Sequence, residues 1–222
     1  MSPLDRYQKP EDLPRRVAVF PLPGALLLPR TELPLNIFEP RYLQMVGDAL
    51  SGSRIIGMVQ PASEEEAGEK PSVYKVGCAG RITSYSETPD GRFLITLSGI
   101  CRFRILRELD CATPYRQVEA DYEAFTDDLE PGRGEGHVDR ALLLKTFDAY
   151  LKANNLQADW QEVNAAPTEA LVNSLSVMSP YAVKEKQALL EAADLKTRAD
   201  VLIAITEMTL ARGAGGDNGK LQ

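Results

Sequence analysis

Leu33-Pro34-Leu35-Asn36-Ile37-Phe38-Glu39-Pro40-Arg41-Tyr42 changes its period halfway along. Leu33, Leu35 and Ile37 alternate with other residues, which puts them on one face of a pleated strand. Pro40 suits the first turn of a helix, where its missing N–H sacrifices no hydrogen bond. Leu43, Val46 and Leu50 then recur at helical spacing as far as Ser51-Gly52. A strand that runs directly into a helix predicts a mixed fold.

Upstream, Val17-Ala18-Val19-Phe20 has the β-branched, apolar character of a strand, and Pro21-Leu22-Pro23-Gly24 stops it. Residues 1–15 hold prolines and charges without periodicity, and are expected to form an arm wrapping the domain. Downstream, Ile55-Ile56-Gly57-Met58-Val59 reads as a buried strand and Glu64-Glu65-Glu66-Ala67-Gly68-Glu69-Lys70 as a solvated loop. Residues 73–85, 92–98, 101–109 and 115–122 are further strands, with turns expected at Asp90-Gly91 and Ser98-Gly99. Residues 16–125 are thus expected to make a mostly antiparallel, strongly curved sheet or small pseudo-barrel.

Residues 126–137 are acidic and rich in proline and glycine, as in an exposed linker. Beyond them the period becomes helical, and residues 138–212 are expected to form an α-helical bundle. Val138, Leu142, Phe147, Tyr150 and Leu151 form its first stripe, a short helix follows near Trp160, and residues 167–177 turn Leu171, Val172 and Leu175 inward. Ser179-Pro180 marks another start. Asp194 is placed to cap a last helix carrying Leu195, Ala199, Leu202, Ile203, Thr206 and Leu210, and residues 213–222 read as a disordered tail. The fold class is therefore α+β: a β-rich part followed by a helical part.

The chain has 222 residues, 44% of them apolar, enough for a substantial core, and a net charge of −7. That field repels phosphate backbones and anionic lipid, so neither nucleic acid nor membrane is an expected partner. Cys78, Cys101 and Cys111 include no C-x-x-C pair and read as reduced thiols of a cytoplasmic protein. The start lacks the pattern of a signal peptide, and no apolar run approaches a membrane span. No metal or cofactor is expected. No G-x-S-x-G, H-E-x-x-H or Walker phosphate loop is present, and His137 is the lone histidine, so no catalytic residues are assigned.

Val19-Phe20-Pro21-Leu22-Pro23-Gly24 followed by Leu33 through Tyr42 resembles the opening of the Lon N-terminal domain, "FPLPG" and then "PL-x-IFEPRY". Val76-Gly77-Cys78-Ala79-Gly80-Arg81-Ile82 resembles that family's "VG-x-x-x-x-I" strand. Asp90-Gly91-Arg92 and Gly99-Ile100-Cys101-Arg102-Phe103-Arg104-Ile105 resemble its "DGR" turn and "G-x-x-R-F-x-I" strand, and Lys186-Gln187-Ala188-Leu189-Leu190-Glu191 its "KQ-x-LLE". The resemblance extends over about residues 15–212. It implies a PUA-like β subdomain followed by a helical bundle, free-standing here, without the AAA+ ATPase and Ser-Lys protease that follow in full-length Lon. It also implies a non-catalytic, ATP-independent module for unfolded or extended polypeptide, an adaptor or chaperone-like factor acting with a Lon-type protease or other proteins. The alternatives are an RNA-binding PUA-like protein and, third, a peptidase.

Candidate peptide-binding residues are Phe20, Pro21, Pro34, Phe38, Tyr42, Arg81 and Arg102. Phe38 and Tyr42 read first as core aromatics, and Phe20, Pro21 and Pro23 can serve either role. Arg102 and Arg104 alternate with Phe103 and Ile105, so with Arg81 and Arg92 they are expected on an ion-paired face or a basic strip. Glu39, Pro40, Arg41, Gly77, Asp90, Gly91 and Gly99 are read as structural. Glu39 is expected to accept N–H groups at the helix start, and Arg41 to tie the helix to a strand.

Overall fold

The computed structural model describes residues 4–62 and 71–216. The acidic run at 64–70 and the tail beyond Gly216 lie outside them. Six strands form one sheet: β1 (Arg16–Pro21), β2 (Glu32–Ile37), β3 (Ile55–Val59), β4 (Val76–Glu87), β5 (Phe93–Glu108) and β6 (Gln117–Asp121). The helices are α1 (Pro40–Ser51), α2 (Arg140–Ala153), α3 (Trp160–Ala165), α4 (Thr168–Met178), α5 (Val183–Glu191) and α6 (Leu195–Gly216). The chain divides into two compact units, Met1–Pro131 with Pro180–Glu191, and Gly132–Ser179 with Ala192–Gln222.

In the first unit β5 pairs with β4, β4 with β3, β3 with β1 in parallel, β1 with β6, and β6 again with β5. The sheet therefore closes into a small barrel, and β2 extends it alongside the first half of β5. Closure depends on the length of β5. Its first half serves β2 while residues 104–108 serve β6, and register shifts in both the β4 and the β6 pairing bend it.

Ser98-Gly99, expected as a turn, instead lies inside β5. A Cβ on Gly99 would sit 2.0 Å from the carbonyl oxygen of Leu28, because the segment before β2 crosses there and bonds to Gly99 through Arg30 N–H and Thr31 C=O. Glycine at 99 serves close approach of two backbones. At Gly91 the expected turn does form, with φ of +79°. Asp90 there pairs with Arg92 at 2.8 Å, and a hydrogen bond from Thr88 holds its carboxyl below the usual range.

Phe103 fills the barrel interior and is fully buried. Gly57 and Gly77 on neighbouring strands make room for it: a Cβ at either would lie 2.8 Å from the tip of the ring. Before β1, Tyr7 and Leu13 are buried, and Tyr122 donates its hydroxyl hydrogen to Pro14 O at 3.0 Å. Helix α1 starts at Pro40 as read, but buries Tyr42, Met45 and Val46 rather than the stripe of Leu43, Val46 and Leu50.

Helix α5 belongs to this unit, although its sequence reads as part of the helical bundle. It packs against β4, buries Gln187, Leu189 and Leu190, and Gln187 donates to Val76 O at 3.2 Å. Ser179, expected to cap a helix, ends α4 in extended conformation, and the N–H of Ala182 bonds to Glu185 instead.

In the second unit α2 and α4 pack on α6. Leu143, rather than Leu142, is the inward residue of α2, and Leu171 and Val172 of α4 are buried as expected. Asp194 caps α6, accepting from Thr197 N–H at 2.7 Å, and that bond lowers its pKa. Helix α6 continues through Gly216, past the end expected at 212. No helix among the described residues is long and apolar enough to cross a membrane.

Candidate functional site

A groove of about 540 Å³ opens on the first unit, where the end of β1, the start of α1 and the β5–β6 hairpin meet. Pro21 and Pro23 form one wall, Pro61 and Pro71 another, and Pro114 on the hairpin a third. A wall of prolines has no N–H to satisfy and little freedom to lose on binding. Tyr42 from the helix and Tyr115 from the hairpin also line it, beside the charged Arg41, Glu108 and Arg116.

Each tyrosine is held in place. Phe20 packs on Tyr42 with ring centroids 4.3 Å apart, and the Arg41 guanidinium lies 4.6 Å from the centre of the same ring. Burial raises the pKa of Tyr42. Tyr115 donates its hydroxyl hydrogen to Asp48 Oδ2 at 2.7 Å, and burial together with that carboxylate pushes its pKa up to about 12.

The charges are largely matched within the groove. Arg116 grips both carboxylate oxygens of Glu108, at 3.0 and 2.7 Å, and donates to Pro71 O at 2.7 Å. Arg41 pairs with Glu39 at the rim. A ligand entering here therefore meets rigid proline walls beside a rim of paired charges, a setting that can take apolar side chains between the prolines and polar groups at the edge. Burial raises the pKa of Cys101, away from the reactive thiolate, and the described residues contain no group of three or more acidic, histidine or cysteine side chains that could hold a metal ion.

The candidate residues separate into three environments. Pro21 and Tyr42 line the groove, backed by Phe20. Pro34 and Phe38 are exposed on and just after β2, and Phe38, read first as a core aromatic, is 61% exposed. Arg81 and Arg102 have structural partners. Arg81 donates to Tyr7 Oη and to Ser53 O, fastening the first residues to the barrel.

Arg102 is corrected outright: it is 3% exposed and holds Asp128 with Nε and Nη2, at 2.8 and 2.9 Å. It lies over the Phe125 ring and donates to Leu190 O of α5. Alternation does turn Arg102 out of the barrel, but a 3₁₀ segment, Glu123–Leu129, covers that side. Part of the expected exposed linker is therefore packed, and no basic strip forms. Glu39 and Arg41 satisfy each other across two residues instead of capping α1 or reaching a strand.

The residues missed by sequence reading are those of the hairpin, Pro114 and Arg116 above all, with Asp48. Pro114-Tyr115 beside a turn was the available signal. Asp48 had none, because its partner lies 67 positions away in the chain.

Architecture and groove define the class as an α+β module built on a small barrel with a preformed, proline-walled recess. Residues 16–207 match the ATP-dependent protease La (LON) substrate-binding domain, and the chain belongs to that family. Among similar proteins, the Lon protease of Dictyoglomus thermophilum is 24% identical over 204 residues, covering 85% of this chain and 24% of the relative. The Lon protease of Flavobacterium johnsoniae is 28% identical over 196 residues, covering 85% and 23%. The chain thus spans about a quarter of the length of these relatives. A Lon N-terminal domain protein from Xanthomonas campestris has a similar structure, with a TM-score of 0.58 at 22% identity, covering 85% of this chain and 97% of that one. The N-terminal domain of Mycobacterium avium complex Lon protease superposes with a TM-score of 0.61 at 18% identity, covering 86% and 98%.

Proposed function

We propose that the chain is a polypeptide-holding module whose proline-walled groove receives apolar side chains of an unfolded or extended segment, as an adaptor or chaperone-like factor. The observation that carries this reading is the groove itself: rigid proline walls around two anchored tyrosines, with Arg116 paired to Glu108 and Tyr115 bonded to Asp48. Membership of a substrate-binding family supports the same reading. The chain's net charge of −7 favours polypeptide over nucleic acid.

Fluorescently labelled lactalbumin, reduced and carboxymethylated so that it stays unfolded, provides the test. The chain should bind it in preference to native lactalbumin, and Pro23→Glu or Pro114→Glu, each placing a charge on a wall, should weaken binding about tenfold. Binding no stronger than that of an inert protein of equal charge defeats the proposal. Retention of structured RNA at low salt would favour the nucleic-acid reading, and ATP-independent cleavage of the probe would favour the peptidase.

A further inference from the structure

Among the described residues, strand β2 is bonded to a strand on one side only, and that neighbour is β5. The bond from Gly99 N–H to Thr31 O fixes which backbone groups face that neighbour: those of Thr31 and, by alternation, Leu33, Leu35 and Ile37. The polar groups of Glu32, Pro34 and Asn36 therefore point away from β5. Glu32 and Asn36 each offer an N–H and a C=O there, while Pro34 offers only its C=O.

The same alternation decides the side chains. Pro34 and Asn36 share a face, Leu94 is the cross-strand partner of Asn36, and Phe38 continues the row beneath Arg92, whose guanidinium is 5.8 Å from the ring centre. Phe38 is 61% and Leu94 44% exposed, so an open main-chain edge and an exposed apolar patch coincide. The complement of such an edge is another extended backbone.

We propose that the free edge of β2 receives an extended segment of a foreign polypeptide as an added strand, with Pro34, Phe38 and Leu94 contacting its side chains. This rests on the polypeptide-holding reading above and adds a second, sequence-tolerant point of attachment. Pro34 selects against a second copy of the chain. Two β2 strands paired about Pro34 would set proline against proline, each without a donor, whereas a foreign strand loses a bond on one side only.

The test uses the whole chain, a short fluorescein-labelled alternating Thr-Val peptide, and the same peptide N-methylated at every residue. The unmethylated peptide should bind and the methylated one should not. Pro34→Thr, which supplies the missing N–H, should tighten binding about threefold or more. Phe38→Ser with Leu94→Ser, both at exposed positions, should weaken it by a similar factor.

Equal binding of both peptides, or no gain with Pro34→Thr, overturns the inference. Self-association of Pro34→Thr without tighter peptide binding assigns the edge to a second copy and overturns it too. Peptide binding lost in Pro114→Glu but unaltered in Pro34→Thr overturns the edge alone and leaves the groove standing. If wild-type chain binds neither the peptide nor the unfolded lactalbumin, both readings fall.

Discussion

The Arg102 guanidinium sits against Asp128 inside the first unit, so removing either side chain strands the opposite charge in a poorly solvated place. Arg102→Met should cost about 3–5 kcal/mol by urea denaturation, and Arg102→Met with Asp128→Leu should cost less than the single change, because no lone charge remains. A double variant less stable than the single one would contradict this. Tyr115 gives a residue-scale prediction in pH. Its phenol is raised to about 12 in the folded chain, against an ordinary value near 10. The stability contributed by its neutral form is complete below about pH 10 and declines as pH rises towards 12, because the unfolded chain ionises first. Phenolate absorbance should show a tyrosine titrating near pH 12 that is missing from Tyr115→Phe, together with a loss of about 1 kcal/mol in that variant for the bond to Asp48. An unchanged titration curve would separate that tyrosine from Tyr115. Neither partner was readable from the sequence: alternation turned Arg102 outward correctly, but which segment covers that face is a fact of packing.

Strand β5 carries the architecture of the first unit, because among the described residues it is the one strand hydrogen-bonded to three others. Its middle must pass the carbonyl of Leu28 with no side chain between them. Gly99→Ala should therefore destabilise the chain by about 3 kcal/mol, and a chemical denaturation midpoint within error of wild type would show that the loop moves aside freely. Most of the strands were legible from alternation and turn chemistry. The continuity of β5 was not, since glycine after serine is as good a turn signal as a sign of close approach, and only the crossing segment distinguishes the two. Helix faces drifted for a related reason: α1 and α2 each have apolar residues on more than one side, and the neighbour selects which are buried. The groove was half legible. Pro21 and Tyr42 stood in a conspicuous motif, whereas Pro114 and Arg116 reached it through a hairpin whose direction the sequence does not state.

Across the whole molecule, helix α5 joins a unit from which it is separated by about fifty residues of the other. Its amides should exchange with solvent at the protection of β4, not with that of α4 or α6, in native-state hydrogen exchange, and Leu189→Ala should lower the protection of α5 and β4 together by about 2–5 kcal/mol. Co-exchange of α5 with α6 would contradict the grouping. The sequence by itself determined the α+β class, the strand-to-helix junction at Pro40, the cap at Asp194, the turn at Gly91, and the family, because these rest on local backbone preferences and on residues adjacent in the chain. Tertiary structure alone decided the closure of the barrel through β5 and β6, the burial of Arg102, the docking of α5 on β4, and the groove and open edge. Each of those depends on which of several apolar or hydrogen-bonding faces finds a partner far away in sequence, and periodicity specifies a face without naming its partner.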